Sequence, residues 1–172
     1  MGDVDRDKER FCAAAWPRLV AAVSYHCGDV HVAEELVQEA LVRACRRWSR
    51  VSVLDSPEGW TYRVAVNLAT SRWRRQQAER RAIERHGPEA QAQAPQAVEE
   101  QLVVRTALRE LTDQQREAVI LRHVLDLSVD QAAHELGLTA GALRATTHRA
   151  VGRLRASLDG TEQEAEEATD VS

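Results

Sequence analysis

Apolar residues recur at helical spacing through the first half of the chain. A first helix, from about Asp5 to His26, is predicted by apolar side chains at every fourth position: Phe11, Ala15, Leu19 and Val23. Gly28 and Asp29 then separate it from a second helix, about Val30 to Trp48. That helix has one continuous apolar stripe: Ala33, Leu36, Val37, Ala40, Leu41, Ala44, Cys45 and Trp48.

A third helix is predicted from about Pro57 to Arg85, after a loop at Ser49–Asp55. Ser56 is a favoured capping residue, Pro57 fits the first helical turn, and Glu58 suits the positive end of the helix dipole. Three apolar residues, Trp60, Val64 and Leu68, are expected on one side of this helix.

The segment Gly87–Ala97 is rich in Ala, Gln and Pro and predicts a flexible linker. Beyond it, capping-box patterns begin two helices, at Thr112–Gln115 and at Ser128–Gln131. The predicted fold class is all-α, with two small helical domains joined by the linker and a helix-turn-helix in the second. The predicted boundaries are 5–86, 87–97 for the linker, 98–158, and an acidic disordered tail at 159–172.

The spacing of Val129–Thr147 is that of a helix-turn-helix. Ala133 is small enough for two helices to cross closely, and Gly137 allows the tight turn between them. Leu136, Leu138 and Leu143 are expected to fill the small core. The following helix, capped by Thr139, would then present its outer face to a DNA major groove.

The charge distribution favours contact with DNA, although the net charge is −4. Six of the 27 acidic residues lie after Leu158, where no basic residue occurs. Basic residues form two clusters, the first being Arg72, Arg74, Arg75, Arg80, Arg81 and Arg85, and the second Arg144, Arg149, Arg153 and Arg155. Such basic clusters are typical of surfaces that contact phosphates.

The sequence favours neither a metal site nor an enzyme. Cys12, Cys27 and Cys45 are odd in number and form no CxxC motif, so we interpret them as reduced core residues of a cytoplasmic protein. The grouping of His31, Glu34 and Glu35 has no further ligand at a familiar spacing. No cofactor and no catalytic residue are predicted. The charged Met1–Arg10 segment argues against a signal peptide, and no apolar run is long enough for a membrane span.

Three segments together resemble regions two and four of extracytoplasmic-function (ECF) sigma factors. They are AEELVQEALVRACRRW (33–48), PEGWTYRVAVNLATSRWRR (57–75), and the stretch from Leu108 to Arg155 that contains the helix-turn-helix. The resemblance extends from about Phe11 to Leu158. It implies a non-enzymatic subunit that binds core RNA polymerase and directs promoter-specific initiation by recognising −10 and −35 elements.

The resemblance also implies which residues bind polymerase. In this family the second helix docks on the clamp of the β′ subunit, and the matching positions are Glu35, Gln38, Glu39 and Val42. The linker would pass through the RNA-exit region of the polymerase, where the β subunit is the further partner. Such a polar strip beside one apolar residue is suited to a protein interface.

Recognition of the −10 element is implied for the third helix and the loop before it. That loop captures a flipped base in this family, and its candidate readers are Arg50, Ser52, Asp55 and Ser56. Strand or phosphate contacts are expected from Arg63, Asn67, Ser71, Arg72, Arg74 and Arg75. The candidate stacking residues are Trp60, Tyr62 and Trp73, with Trp60 expected to be mainly buried.

Recognition of the −35 element is implied for the last helix. The matching positions are Thr139, Gly141, Arg144, Ala145, Thr146, His148 and Arg149. The chain departs from the family at two of its positions. Thr146 replaces a basic residue and can only donate to phosphate, whereas Thr147 replaces a branched aliphatic residue and is expected to weaken helix packing.

Two other functions compete with this interpretation. A helix-turn-helix regulator that acts without polymerase would explain residues 129–155 but not the helix start and Arg cluster at 56–75. An enzyme with a DNA-binding tail would need a nucleophile beside a base, or a metal cluster. As a sigma factor the chain is expected to be a monomer when free and a candidate for inhibition by an anti-sigma factor.

Overall fold

The computed structural model describes residues 2–83 and 99–170, and every regular element within these ranges is a helix. The chain divides into two compact units, residues 1–96 and 97–172. The predicted all-α class with two small domains is therefore confirmed. The predicted linker at 87–97 lies outside the described residues.

The first unit contains α1 (Asp3–Cys27), α2 (Val30–Arg46), the single turn α3 (Trp48–Val51) and α4 (Pro57–Ile83). Gly28, with a φ of 82°, ends α1 in the left-handed conformation that glycine favours. The Asp29 carboxylate then accepts hydrogen bonds from the backbone N–H groups of His31 and Val32 and caps α2. These two residues turn the chain back, so that α2 packs on α1.

The core of the first unit lies where α1, α2 and α4 meet. From α1 and α2 it takes the predicted stripes, including Leu19, Val23 and Val37, which are fully buried. The buried face of α4 differs from the prediction, because it carries Thr61, Tyr62, Ala65 and Val66. Trp60, Val64 and Leu68 are only half-buried. Small residues at 61 and 65 allow α4 to approach its neighbours closely.

The predicted loop at 49–55 begins with a helical turn, and α2 ends two residues earlier than expected. Backbone hydrogen bonds of 2.8 Å join Arg50 N to Arg47 O and Ser52 N to Trp48 O. The turn is anchored by Val51, whose side chain is only 1% exposed. Burial of that single apolar residue accounts for the turn.

The second unit contains α5 (Glu99–Arg109), α6 (Asp113–Val119), a π-helical segment (Ile120–Val124), α7 (Val129–Leu136) and α8 (Ala140–Asp170). Both predicted capping boxes are present, at Thr112 with Gln115 and at Ser128 with Gln131. Gly137 ends α7 with a φ of 63°. The helix-turn-helix therefore forms from α7, the turn and the start of α8.

The last helix is longer than predicted, because α8 runs through the acidic segment to Asp170 instead of ending near Leu158. Half of the 14 residues after Leu158 are Glu, Ala or Gln, and none is Pro. These residue types favour a helix over other local structures. Residues 159–170 of the predicted disordered tail are therefore helical.

Candidate polymerase and promoter interfaces

The four predicted polymerase-binding residues form one exposed strip on α2. Glu35, Gln38, Glu39 and Val42 are all exposed. Their spacing of three, four and seven residues places them on the same side of the helix. Val42 is 40% exposed, although it lies within a helix that buries most of its apolar side chains. The strip is acidic and polar around one accessible apolar residue.

Two ion pairs hold the acidic side chains of this strip. Glu39 accepts a hydrogen bond from Nε of Arg43, one turn later, at 2.8 Å. Glu35 pairs with Arg72 of α4 at 2.5 Å. Arg72 is therefore directed toward α2, and it is separated from the other basic residues of α4 that are predicted to contact DNA.

An apolar groove of about 430 Å³ adjoins this strip between α1 and α2. It is lined by Cys12, Trp16, Gln38, Leu41, Val42, Cys45 and Arg46. Trp16 is 37% exposed and was missed as a candidate interface residue. Its position outside the four-residue repeat of α1 was the available signal, since a large apolar side chain off the core stripe faces solvent.

The loop before α4 exposes three of its four predicted base-reading residues. Arg50, Ser52 and Asp55 are exposed, whereas Ser56 is buried, with 6% of its surface exposed. The Ser56 hydroxyl oxygen accepts a hydrogen bond from the backbone N–H of Gly59 at 2.9 Å. Ser56 is therefore the cap of α4, and the prediction that it reads a base is wrong.

Two apolar residues of the same loop were missed. Val53 is 79% exposed and Leu54 is 38% exposed. They lie between Ser52 and Asp55, so two adjacent apolar side chains are flanked by polar ones at an accessible tip. Two adjacent apolar residues within a predicted loop are the signal that could have found them, because the fold does not require them there.

The three candidate stacking residues have different environments. Tyr62 is fully buried, and its ring lies edge-on to that of His26 at 6.4 Å between centroids. The prediction that Tyr62 stacks on a base is therefore wrong, because its ring belongs to the core. Trp60 is half-buried, less than predicted, and Trp73 is 60% exposed. Trp73 is the most accessible of the three rings.

One face of α4 is polar and faces away from the core. Arg63, Asn67, Ser71 and Arg74 recur at helical spacing on this face, and Trp60 lies on it one turn earlier. Asn67, Ser71 and Arg74 are exposed, with Arg63 half-buried, and Arg75 is exposed at its edge. The Ser71 hydroxyl donates to the carbonyl oxygen of Asn67 at 2.8 Å. The face is suited to hold one nucleic-acid strand lengthwise.

The outer face of α8 carries most of the predicted −35 residues. Gly141, Arg144, Ala145, His148 and Arg149 are all exposed. The exposed Thr139 has its hydroxyl oxygen occupied as the helix cap, accepting from the backbone N–H of Ala142 at 3.1 Å. Small residues beside long basic ones leave room for close approach to base edges and phosphates.

Thr146 is not on this face. It is buried with 6% exposure and shares the inner stripe of α8 with Leu143 and Ala150, which are fully buried. The prediction that Thr146 contacts phosphate is therefore wrong, since its spacing from Leu143 directs it into the core. Thr147, expected to pack inside, is half-buried, and its hydroxyl has no partner among the described residues.

A small basic cavity of about 260 Å³ lies beside the start of α8. It is lined by Arg122, His123, Val129, Leu143, Arg144, Thr147 and His148. Arg122 also donates to the carbonyl oxygen of Leu127 and so holds the turn before α7. Arg122 and His123 were missed; a basic pair just before a helix-turn-helix was the signal.

Among the described residues, no cluster of three or more His, Cys, Asp or Glu side chains is arranged to hold a metal ion. In residues 2–83 and 99–170, no helix has the length and apolar character needed to cross a membrane.

The two units each match a known protein family. Sigma-70 region 2 matches residues 14–79, and Sigma-70, region 4 matches residues 101–154. The ECF RNA polymerase sigma factor EcfG of Rhodopseudomonas palustris is 30% identical over 156 residues, which cover 87% of this chain and 84% of the relative. The chain belongs to the ECF sigma factor family. As a sigma factor it binds core RNA polymerase and directs promoter-specific initiation, with region 2 in the first unit and region 4 in the second.

Further similarities agree with this assignment. The RNA polymerase sigma-E factor of Streptomyces avermitilis is 30% identical over 133 residues, covering 77% of this sigma factor and 74% of the relative. The solved structure of the sigma factor RpoE with the anti-sigma factor NepR from Bartonella quintana matches with a TM-score of 0.73 and 25% identity. That match covers 90% of this chain and 98% of the other.

Proposed function

We propose that this sigma factor docks on the β′ clamp of core polymerase through the exposed strip of α2. Gln38 and Val42 are the central residues of the proposal, because both are exposed and both also line the apolar groove. Glu35 and Glu39 would steer the approach of a basic partner surface. Their existing ion pairs are solvent-exposed and therefore easily exchanged for pairs across the interface.

The −10 element would be held by the outer face of α4 and by the loop tip at 52–55. Unpairing a base costs a few kcal/mol, which capture of that base in a pocket offsets. Ser52 and Asp55 are accessible for polar contacts, and the exposed Val53 and Leu54 offer apolar surface to the base. Asn67, Arg74 and the exposed ring of Trp73 would hold the continuing strand.

The −35 element would be read by α8. Arg144, His148 and Arg149 project from its exposed face, and Gly141 and Ala145 leave that face open. We infer that Arg122 and His123 widen the basic surface toward the DNA backbone, because they share a cavity with Arg144 and His148. Thr146 is buried and carries no charge, so the positive charge of this surface comes from Arg122, Arg144 and Arg149.

The sigma factor would hold polymerase and promoter together and would itself catalyse no reaction. The segment at 87–97 would join the two units and raise the effective concentration of one contact once the other has formed. The chain would act as a monomer in the cytoplasm, and no cofactor would be required. Because the similar RpoE was solved with an anti-sigma factor, we also infer an anti-sigma protein as a candidate inhibitor of this chain.

The observation that carries the polymerase-binding proposal is the exposure of Val42 beside the groove. The test is Val42→Glu, with Val4→Glu as the matched control, because Val4 is 58% exposed near the start of α1. Core polymerase is captured on beads and titrated with each full-length variant. Val42→Glu should weaken binding at least about tenfold, the loss expected when a charge enters an interface core, while Val4→Glu binds like the unmodified chain. Equal binding by both variants would place the polymerase contact elsewhere.

A further inference from the structure

Two cysteines from different helices lie in contact within the first unit. The Sγ atoms of Cys12 on α1 and Cys45 on α2 are 3.5 Å apart. Both residues are half-buried, and both line the groove between these helices. The third cysteine is in a different situation, since the Cys27 thiol donates to the carbonyl oxygen of Asp29 at 3.2 Å.

We propose that Cys12 and Cys45 form a reversible redox site that a hydroperoxide closes to a disulfide. One thiolate attacks the peroxide oxygen, which gives a sulfenic acid and releases an alcohol, or water if the oxidant is hydrogen peroxide. The second thiol then attacks the sulfenic sulfur and expels water. The two thiols lose two electrons in total, the peroxide gains them, and both thiol protons end in the released products.

The geometry allows this bond to form with a small movement. A disulfide needs about 2.05 Å between its sulfur atoms, so the observed 3.5 Å separation has to shorten by about 1.5 Å. Rotation of two half-buried side chains beside an open groove can supply that movement. The groove also admits the oxidant, because Trp16 and Val42 on its walls are more than a third exposed.

The thiol chemistry determines how fast the site responds. Burial and the neighbouring Cys45 raise the pKa of Cys12 to about 11. Because the thiolate is the attacking species, attack by Cys12 is slow at neutral pH and accelerates as the pH rises.

The bond would connect α1 to α2 next to the strip that contains Gln38 and Val42. Joining residues 12 and 45 restricts the unfolded chain and stabilises the first unit. The formation of this bond does not depend on the proposed polymerase interface. Either proposal can therefore be refuted while the other stands.

The test treats the full-length chain with hydrogen peroxide and maps its disulfides by mass spectrometry under non-reducing conditions. Trypsin, which cleaves after Arg, separates the three cysteines onto peptides 11–18, 19–43 and 44–46. The expected product joins peptides 11–18 and 44–46 within one chain, and dithiothreitol reverses it. Its rate of formation should increase from pH 7 to pH 9.

Cys27→Ala is the matched control and should form the same product at the same rate. Oxidation should raise the melting temperature of the unmodified chain and of Cys27→Ala by at least about 5 °C. Cys12→Ala and Cys45→Ala should show no such rise. A bond that involves Cys27, a disulfide between two chains, or sulfinic acid at Cys12 without a link to Cys45 would overturn the proposal. The mapping on the unmodified chain decides the question even if a variant folds poorly.

Discussion

Replacement of Ser56 by Ala tests whether Ser56 only caps α4 or also takes part in the proposed binding of the −10 strand by the loop before it. Ser56 is buried, and its hydroxyl accepts the Gly59 N–H at 2.9 Å. Loss of such a cap typically destabilises a protein by about 1 kcal/mol. For a unit of this size, that corresponds to a melting temperature roughly 4–8 °C lower. Well below the melting transition, binding to a single strand with the −10 sequence should be unchanged.

Ser52→Ala is the matched control, because Ser52 is exposed and ends α3 through its backbone N–H, which Ala retains. Its stability should remain within about 0.5 kcal/mol of the unmodified chain. Binding to the −10 strand should weaken about fivefold, which is the loss of one hydrogen bond worth about 1 kcal/mol. Thermal denaturation and fluorescence anisotropy with a labelled strand measure the two effects. If Ser56→Ala loses DNA affinity with an unchanged melting temperature, the assignment of Ser56 to the cap is refuted.

Three further predictions follow from other parts of the structure. Arg144→Ala should reduce the magnitude of the slope of log affinity against log salt concentration by about one unit for −35 duplexes. Arg109 is exposed at the end of α5, and Arg109→Ala should leave this slope unchanged. Trp73→Ala should weaken single-strand binding at least fivefold, since stacking contributes about 1–3 kcal/mol per base; equal affinity would exclude stacking. Folding raises the pKa of Cys12 from 9.0 to about 11. The free energy of unfolding of the unmodified chain, relative to that of Cys12→Ala, should therefore fall as the pH rises from 9.0 to about 11. Below pH 9.0 the difference between the two proteins should be constant.

Local features were predictable because neighbouring residues determine them. The capping boxes at Thr112 and Ser128 and the left-handed Gly137 depend on a few adjacent residues, and all three are present. The single helical turn at Trp48–Val51 was not predictable in this way. It depends on burial of Val51, which no pattern within the loop indicates.

The errors at candidate site residues arose from helix faces. Tyr62 and Thr146 were predicted to contact DNA, but both are buried. In each case the helices that pack against a long helix determine which of its sides is buried. In α4 this side is hard to predict, because polar and apolar residues occur on several sides. A shift of one residue turns a side chain by about 100°, which is enough to exchange Thr146 with Thr147.

Run-off transcription by core polymerase, with and without the purified full-length chain, tests the central claim most directly. Core polymerase alone is compared with the mixture on a library of GC-rich and AT-rich promoter fragments. We expect the chain to co-purify with core polymerase and to produce discrete transcripts that core polymerase alone does not make. Val42→Glu should reduce all of these transcripts together. Tight binding to a palindromic duplex without any association with core polymerase, or association without initiation at any start site, would contradict the account.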